Sequence, residues 1–216
     1  MIEQTTQLVK NNKGFILFIL LMVVFRTSLA DWNRVPTGSM KPTIVEGDHI
    51  IINKLAYDLN LPLTQVSIAT IAHPQRGDII VFNSKTSRQR LVKRVIGVPG
   101  DQIEMRDNIL YLNQQRLSYS NSSETSISRD VEEDLFGHKY TVRTAKNAGA
   151  ASNFGPVVVP PARYFVLGDN RDNSADSRFI GFIPREEIIG RSSSVAFSLN
   201  PDNYYMPRSE RFIKPL

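Results

Sequence analysis

Apolar positions divide the chain into one continuous hydrophobic segment and a long remainder patterned for strands. Every residue from Phe15 to Phe25 is apolar, with Lys10 and Lys13 before the run and Arg26 after it. A helix from Gly14 to Ala30 rises roughly 25 Å at 1.5 Å per residue, slightly less than a ~30 Å hydrocarbon core. Two readings fit. One is a cleavable leader, with small residues at Ser28 and Ala30 of Ser28-Leu29-Ala30. The other is a retained anchor, with Arg26 snorkelling outward and Trp32 at the interface. The pattern alone does not choose between them. Under both, the lysines hold the N-terminus inside and everything after residue 31 is exported.

Beyond the apolar run the period is two. Gly-Asp pairs at 47–48, 77–78 and 100–101 lead into HIIINK (49–54), IIVFN (79–83) and QIEM (102–105), and a fourth pair stands at 168–169. A Gly-Asp turn feeding a β-branched run is a strand-entry signal. RLVKRVIGV (90–98) and RYFVL (163–167) are further strands, and NILYL (108–112) followed by Asn113-Gln114 predicts a hairpin. Asn53 to Asp58 is too short to assign. Residues 118–134, SYSNSSETSISRDVEED, are polar and are expected on a surface loop or the edge of an insert, bounded at about 107–161 and closed by Pro160-Pro161.

Composition adds exclusions. The 216 residues carry a net charge of +5, but the Lys and Arg residues are scattered and form no phosphate-tracking stripe, so no nucleic-acid partner is expected. A basic surface also suits anionic lipid. The absence of cysteine excludes disulfides, thiolate catalysis and cysteine-based metal sites. GDNRDNSADSR (168–178) suggests a calcium loop, but the twelfth position from Asp169 or Asp172 is Ile180 or Ile183 where a Glu is required. No metal is expected.

For nucleophilic chemistry the usual activator is histidine, and none of His49, His73 or His138 has a neighbourhood that marks it. The remaining base is lysine, which needs burial to lower its pKa. Lys93 lies between Leu91 and Val95 on one face of a strand. The same alternation also fits an amphipathic strand with Lys93 in solvent. Ser39, in VPTGSMKPT (35–43), is either an ordinary turn residue or a nucleophile. The turn would suit the second role: Gly38 permits close approach, Pro36 and Pro42 stiffen the flanks, and the Ser39 N–H with the Thr37 hydroxyl could form an oxyanion hole.

VPTGSMKPT, GDHIIINKLAY, RGDIIVF, RLVKRVIGVPGD and GDNRDNSADSRFIGFIPREEIIGR, in this order from about Arg34 to Arg191, resemble the successive boxes of bacterial type I signal peptidase. The resemblance implies a mainly β protein: an antiparallel-sheet catalytic core (32–106 and 162–216), an inserted β-rich subdomain (107–161), one N-terminal transmembrane helix (14–31) and a cytoplasmic segment (1–13). It favours the retained anchor. It implies a membrane-anchored serine endopeptidase that removes signal peptides from exported precursors, on the extracytoplasmic side of the bacterial inner membrane, without a cofactor. Ser39 is then the nucleophile and Lys93 the general base. Ser174 would hydrogen-bond to the lysine, and Asp176 and Arg178 would form a supporting ion pair. Thr37 stands where the family often has a serine. Val35, Met40, Ile44, Ile50, Val81 and Val92 are expected to line shallow pockets for a small-x-small sequence. The partners implied are signal-peptide-bearing precursors and membrane lipid, and the secretion machinery is admitted as a further one. Two alternatives stay open: a pilin-maturing peptidase with the same dyad, and a non-catalytic, membrane-tethered binding protein. A self-cleaving repressor would need a DNA-binding domain where the apolar run stands.

Overall fold

The structure, a computed structural model, describes residues 11–64, 66–147 and 149–216; Lys10 and most of the expected cytoplasmic segment lie outside them. Helix α1 (Lys13–Val24) has no buried residue and continues as a π-helical turn, Phe25–Leu29. Among the described residues no helix is long and apolar enough to cross a membrane. The chain enters a sheet directly at Ala30, so Ala30 and Asp31, expected to end the anchor, instead open the first strand.

The strands in chain order are β1 (Ala30–Arg34), β2 (Asp48–Asn53), β3 (Asp58–Asn60), β4 (Ser67–Thr70), β5 (Ile79–Ser84), β6 (Gln89–Gly97), β7 (Gln102–Arg106), β8 (Ile109–Leu112) and β9 (Gln115–Arg116). They continue as β10 (Ser118–Glu124), β11 (Ser128–Leu135), β12 (His138–Ala145), β13 (Phe154–Val158), β14 (Arg163–Leu167), β15 (Ile183–Pro184), β16 (Ile188–Asn200), β17 (Met206–Pro207) and β18 (Lys214–Pro215). A short helix α2 spans Ser177–Ile180. The protein is mainly β and antiparallel. The principal sheet runs β1-β2-β16-β5-β6-β14-β15, with β17 and β18 also paired to β16; smaller sheets are β13-β7-β8-β9, β10-β11-β12 and β3-β4.

Three of the Gly-Asp pairs are one turn used three times. Gly47, Gly77 and Gly100 have φ of 89°, 89° and 91°, a region costly for any residue with a Cβ. Each following aspartate accepts a hydrogen bond from the N–H three residues upstream: Val45 to Asp48, Gln75 to Asp78 and Val98 to Asp101, all 2.9 Å. Each aspartate N–H bonds back to that residue's carbonyl. The fourth glycine, Gly168, lacks the positive φ and serves a different purpose.

The hairpin at Asn113-Gln114 forms as expected, both residues having positive φ (51° and 68°), as a two-residue type I′ turn requires. Residues 118–134 depart from a loop reading, because they supply β10 and β11. Their apolar content is too low to announce strands. The sheet is held instead by polar pairing: buried Glu133 receives Arg171, Tyr119 and Tyr140. Asp130 receives Arg143 through bonds of 2.6 and 2.7 Å.

Two apolar clusters back the principal sheet. One contains Val35, Met40, Ile44, Ile50, Ile52, Ile79, Val81 and Val195; the other contains Tyr57, Ile80, Phe82, Val95 and Val166. A third joins Ile96 and Leu167 of the principal sheet to Ile103, Leu110 and Leu135 of the smaller ones, so the inserted strands share a core with the sheet that carries Lys93.

Candidate active site

Ser39 lies in a tight turn between β1 and β2. The turn is closed by bonds from Lys41 N–H to Gly38 O (3.1 Å) and from Ile44 N–H to Met40 O (2.9 Å). It is fastened at its base by Val35 N–H to Asp48 O (2.8 Å). Asn170 grips it from the far end of the chain. Its backbone N–H donates to Ser39 O (3.1 Å) and its side-chain amide to Gly38 O (2.9 Å). Gly168 gives the room for this grip: a Cβ there would collide with Ser39 O and with the Ser174 side chain.

Lys93 emerges from β6, in register with Ile80 of β5. Its Nζ lies 2.6 Å from Ser39 Oγ. Only 2% of Lys93 is exposed. Burial pushes its pKa from 10.5 down to about 8, against the pull of the Asp176 and Asp169 carboxylates, which favour the charged form. The amine therefore has a substantial neutral fraction near physiological pH, and a neutral amine beside a hydroxyl can accept its proton. Two donors stand by. Among the described residues, neither the Ser39 N–H nor the Thr37 hydroxyl has a hydrogen-bond partner, and Thr37 is exposed.

The other expected residues fall into place unevenly. Asp176 and Arg178 form a buried ion pair at 2.8 Å, and Asp176 also accepts from Gly168 N–H (3.0 Å). Ser174 is buried against Gly168, but its hydroxyl has no partner among the described residues, so the expected bond to Lys93 is absent in this conformation. Val35, Met40, Ile44, Ile50 and Val81 are buried in one cluster with Val92 packed against it. Ile44, Ile50 and Val81 have no exposed surface. Their side chains share that cluster with Met40, the residue after Ser39, so the core reaches the serine turn. Their β-branched or aliphatic side chains satisfy a core as well as a pocket wall, and sequence cannot tell the two apart.

Several supporting residues carried no sequence assignment. Arg94 binds Asp169 through bonds of 2.9 and 2.7 Å, stacks 3.9 Å from the Tyr140 ring centroid and donates to Gly77 O (2.9 Å). Asp169 also accepts from Thr43 (2.5 Å). Arg171, fully buried, pairs with Glu133 at 2.5 and 2.8 Å. Asp172 accepts from Ala145 N–H (2.8 Å) and from the Asn108 amide (3.1 Å). The acidic box is thus a clasp joining the serine turn, β6 and the inserted strands, its carboxylates held by arginines and amides. The detectable signal was Arg94, a charge flanked by Val92 and Ile96 on one strand face.

Among the described residues no three His, Asp or Glu side chains converge as a metal site needs. His49 stacks on Phe197 with centroids 4.3 Å apart. His73 and His138 line a groove of about 850 Å³ to which neither Ser39 nor Lys93 contributes.

The chain matches the family described as signal peptidase, peptidase S26, over residues 8–197. It is 31% identical to signal peptidase I of Pseudomonas fluorescens over 94% of this chain and 78% of that one. It is 32% identical to signal peptidase I T of Bacillus subtilis over 92% and 90%. A crystal structure of a signal peptidase I from Enterococcus faecalis shares 36% identity and covers 56% of this chain and 97% of its own, with a TM-score of 0.38, too low to bear on the fold. With most of its length matched to these proteases, the chain belongs to the signal peptidase, peptidase S26, family and is a protease of that family.

Proposed function

We propose that the chain is a membrane-anchored serine endopeptidase that removes signal peptides from exported precursors with a Ser39/Lys93 dyad. The observation that carries this reading is the 2.6 Å approach of Lys93 Nζ to Ser39 Oγ, with the amine buried and its pKa lowered. Neutral Lys93 takes the Ser39 proton as Oγ attacks the scissile carbonyl. The oxyanion is received by the Ser39 N–H and the Thr37 hydroxyl. Lys93 returns the proton to the leaving amine, then deprotonates the water that hydrolyses the acyl-enzyme and frees Ser39. Ser174, beside Gly168, takes up the lysine by a hydroxyl rotation or small shift when substrate binds. Apo hydrogen bonds at catalytic sites commonly tighten only in the complex.

In this reading the anchor is the segment 14–31, supported by the apolar run Phe15–Phe25, which is exposed along α1 and its π-helical continuation, and the catalytic domain lies on the extracytoplasmic side of the bacterial inner membrane. The test is a panel of secretory and pilin precursors offered to detergent-solubilised full-length chain and to Ser39→Ala. Cleavage of secretory precursors after a small-x-small sequence, lost in Ser39→Ala, supports the reading. Cleavage of pilin precursors alone, or undiminished cleavage by Ser39→Ala, contradicts it.

A further inference from the structure

The groove lined by His73 and His138 receives no Asp or Glu side chain. Its walls come from separate stretches: the loop 72–76, the turn 98–99, the hairpin turn 135–138, and residues 162, 164 and 185. Pro74, Val98 and Phe136 give it apolar surface, and two imidazoles and two guanidinium groups stand among them. Distant segments bring these four bases into two neighbouring pairs. Arg185 Nη2 donates to the carbonyl of Ala72, the residue before His73 (3.2 Å). The His138 ring lies against Gly77, the residue after Arg76, where a Cβ would meet it at 3.2 Å.

Each base has a nitrogen to spare. Arg76 binds Asp101 through Nε (2.8 Å) and Nη2 (2.6 Å), which leaves Nη1. Arg185 uses Nη1 on Asp58 (2.7 Å) and Nη2 on carbonyls, while its Nε is buried without a partner among the described residues. Among the described residues the rings of His73 and His138 have no hydrogen-bond partner, whereas that of His49 lies 3.3 Å from Gly47 O. A buried N–H without an acceptor is costly, and an anion is the acceptor that suits several donors at once. We propose that the groove binds a small carboxylate carried on an apolar body, with the carboxylate among the imidazole and guanidinium nitrogens and the body on Val98 and Phe136. Its volume of about 850 Å³ lies within the range of small-molecule sites. An extended peptide would need a strand edge to pair with. Of the lining residues only Leu135, His138 and Tyr164 belong to strands, and those are three different strands. The proposal is independent of the protease reading, since neither Ser39 nor Lys93 lines the groove.

The chain has 3 histidines, so isotopic labelling of the imidazole rings gives one set of NMR resonances for each, assigned with His73→Gln and His138→Gln. Hydrocinnamate is titrated into the detergent-solubilised full-length chain at fixed pH and ionic strength, with the neutral hydrocinnamide as control. The expected result is that the His73 and His138 resonances move along one saturating curve while His49 stays still. Hydrocinnamide should bind ~10-fold more weakly or worse, having lost the charge-assisted hydrogen bonds. Phe136→Ser should weaken hydrocinnamate ~5-fold or more through lost apolar contact, with an unmoved His49 resonance showing that the chain is folded. Ser39→Ala should bind as the wild type does. Equal affinity for hydrocinnamide makes the groove merely apolar and overturns the proposal, as does equal movement of all three histidines or of none. Loss of binding in Ser39→Ala would put the ligand in the substrate cleft, also against it. Movement of His73 and His138 by acetyl-Ala-Leu-Ala but not by hydrocinnamate makes a peptide end the occupant and overturns it too.

Discussion

Arg94 and Asp169 are joined by two hydrogen bonds inside the protein, their side chains 6% and 1% exposed, and each is next in sequence to a residue that handles the serine turn. Arg94 follows Lys93, and Asp169 precedes Asn170. Removing one partner of a buried pair strands the other charge, which typically costs about 3–5 kcal/mol. Asp169→Ala and Arg94→Ala are each expected to lower stability by about that amount in denaturant titration. Asp169→Asn, which keeps the shape, should also remove a carboxylate that favours charged Lys93, moving the alkaline rise of activity to lower pH.

Glu133 supplies an acid-sensitive element. Burial raises its pKa, but the Arg171 charge and bonds from Arg171, Tyr119 and Tyr140 outweigh burial and hold the carboxyl below its usual value of 4.5. A carboxyl depressed in the folded state stabilises above its unfolded pKa, and that contribution is lost as pH falls through the folded value. Stability of the wild type should therefore decline below about pH 4.5. Glu133→Gln, already deprived of the charge, should be less stable at pH 7 and show a shallower decline. Thermal unfolding from pH 7 to pH 3 measures both.

Lys93 should act in the opposite sense on stability and on activity. Its fall from 10.5 to about 8 means the folded site disfavours the charged form by about 3 kcal/mol at 1.36 kcal/mol per pH unit. The folded state binds fewer protons than the unfolded one between those values, so stability rises with pH through that window and is lost as pH falls through it. Lys93→Met, similar in length and uncharged, should be inactive yet more stable than wild type at pH 7, by about 1–3 kcal/mol. The gain should shrink towards pH 10. Equal stability at all pH values would show that the amine is solvated.

Strand positions were legible because the polar–apolar period and the Gly-Asp turns are local. The runs 49–54, 79–83, 90–98 and 163–167 fall on β2, β5, β6 and β14 apart from the end residues Lys54 and Val98, and Asn113-Gln114 forms the expected hairpin turn. The pairing order was not legible: β16 lies between β2 and β5 although it is more than a hundred residues distant from either, and nothing in one strand names its partner. The polar β10–β11 pair escaped notice for a related reason. Glu133 reads as surface charge until Arg171, 38 residues away, is brought against it. At the site, Ser39 and Lys93 could be named as candidates from turn chemistry and aliphatic flanking, but only the fold sets them 2.6 Å apart. The partners of Arg94, Asn170 and Gly168 are all non-local, which is why sequence left them without roles.

Gly168 tests the spacing of the site. With a Cβ colliding with Ser39 O and the Ser174 side chain, Gly168→Ala must push the serine turn away from β14. Displacement of about 1 Å at a reacting centre can cost on the order of 10²-fold. Gly168→Ala should lose that much kcat/KM, while Gly155→Ala, where a Cβ meets nothing, should match wild type.

The dyad itself is tested most directly by incubating a labelled secretory precursor with wild-type and Lys93→Ala chains across pH 6–10 and mapping the products by mass. The account predicts a single cut by the wild type, with a rate rising to a plateau around a midpoint near 8, and a loss of at least ~10²–10⁴-fold for Lys93→Ala at every pH. Wild-type turnover by Lys93→Ala, or a wild-type profile flat across this range, would contradict it.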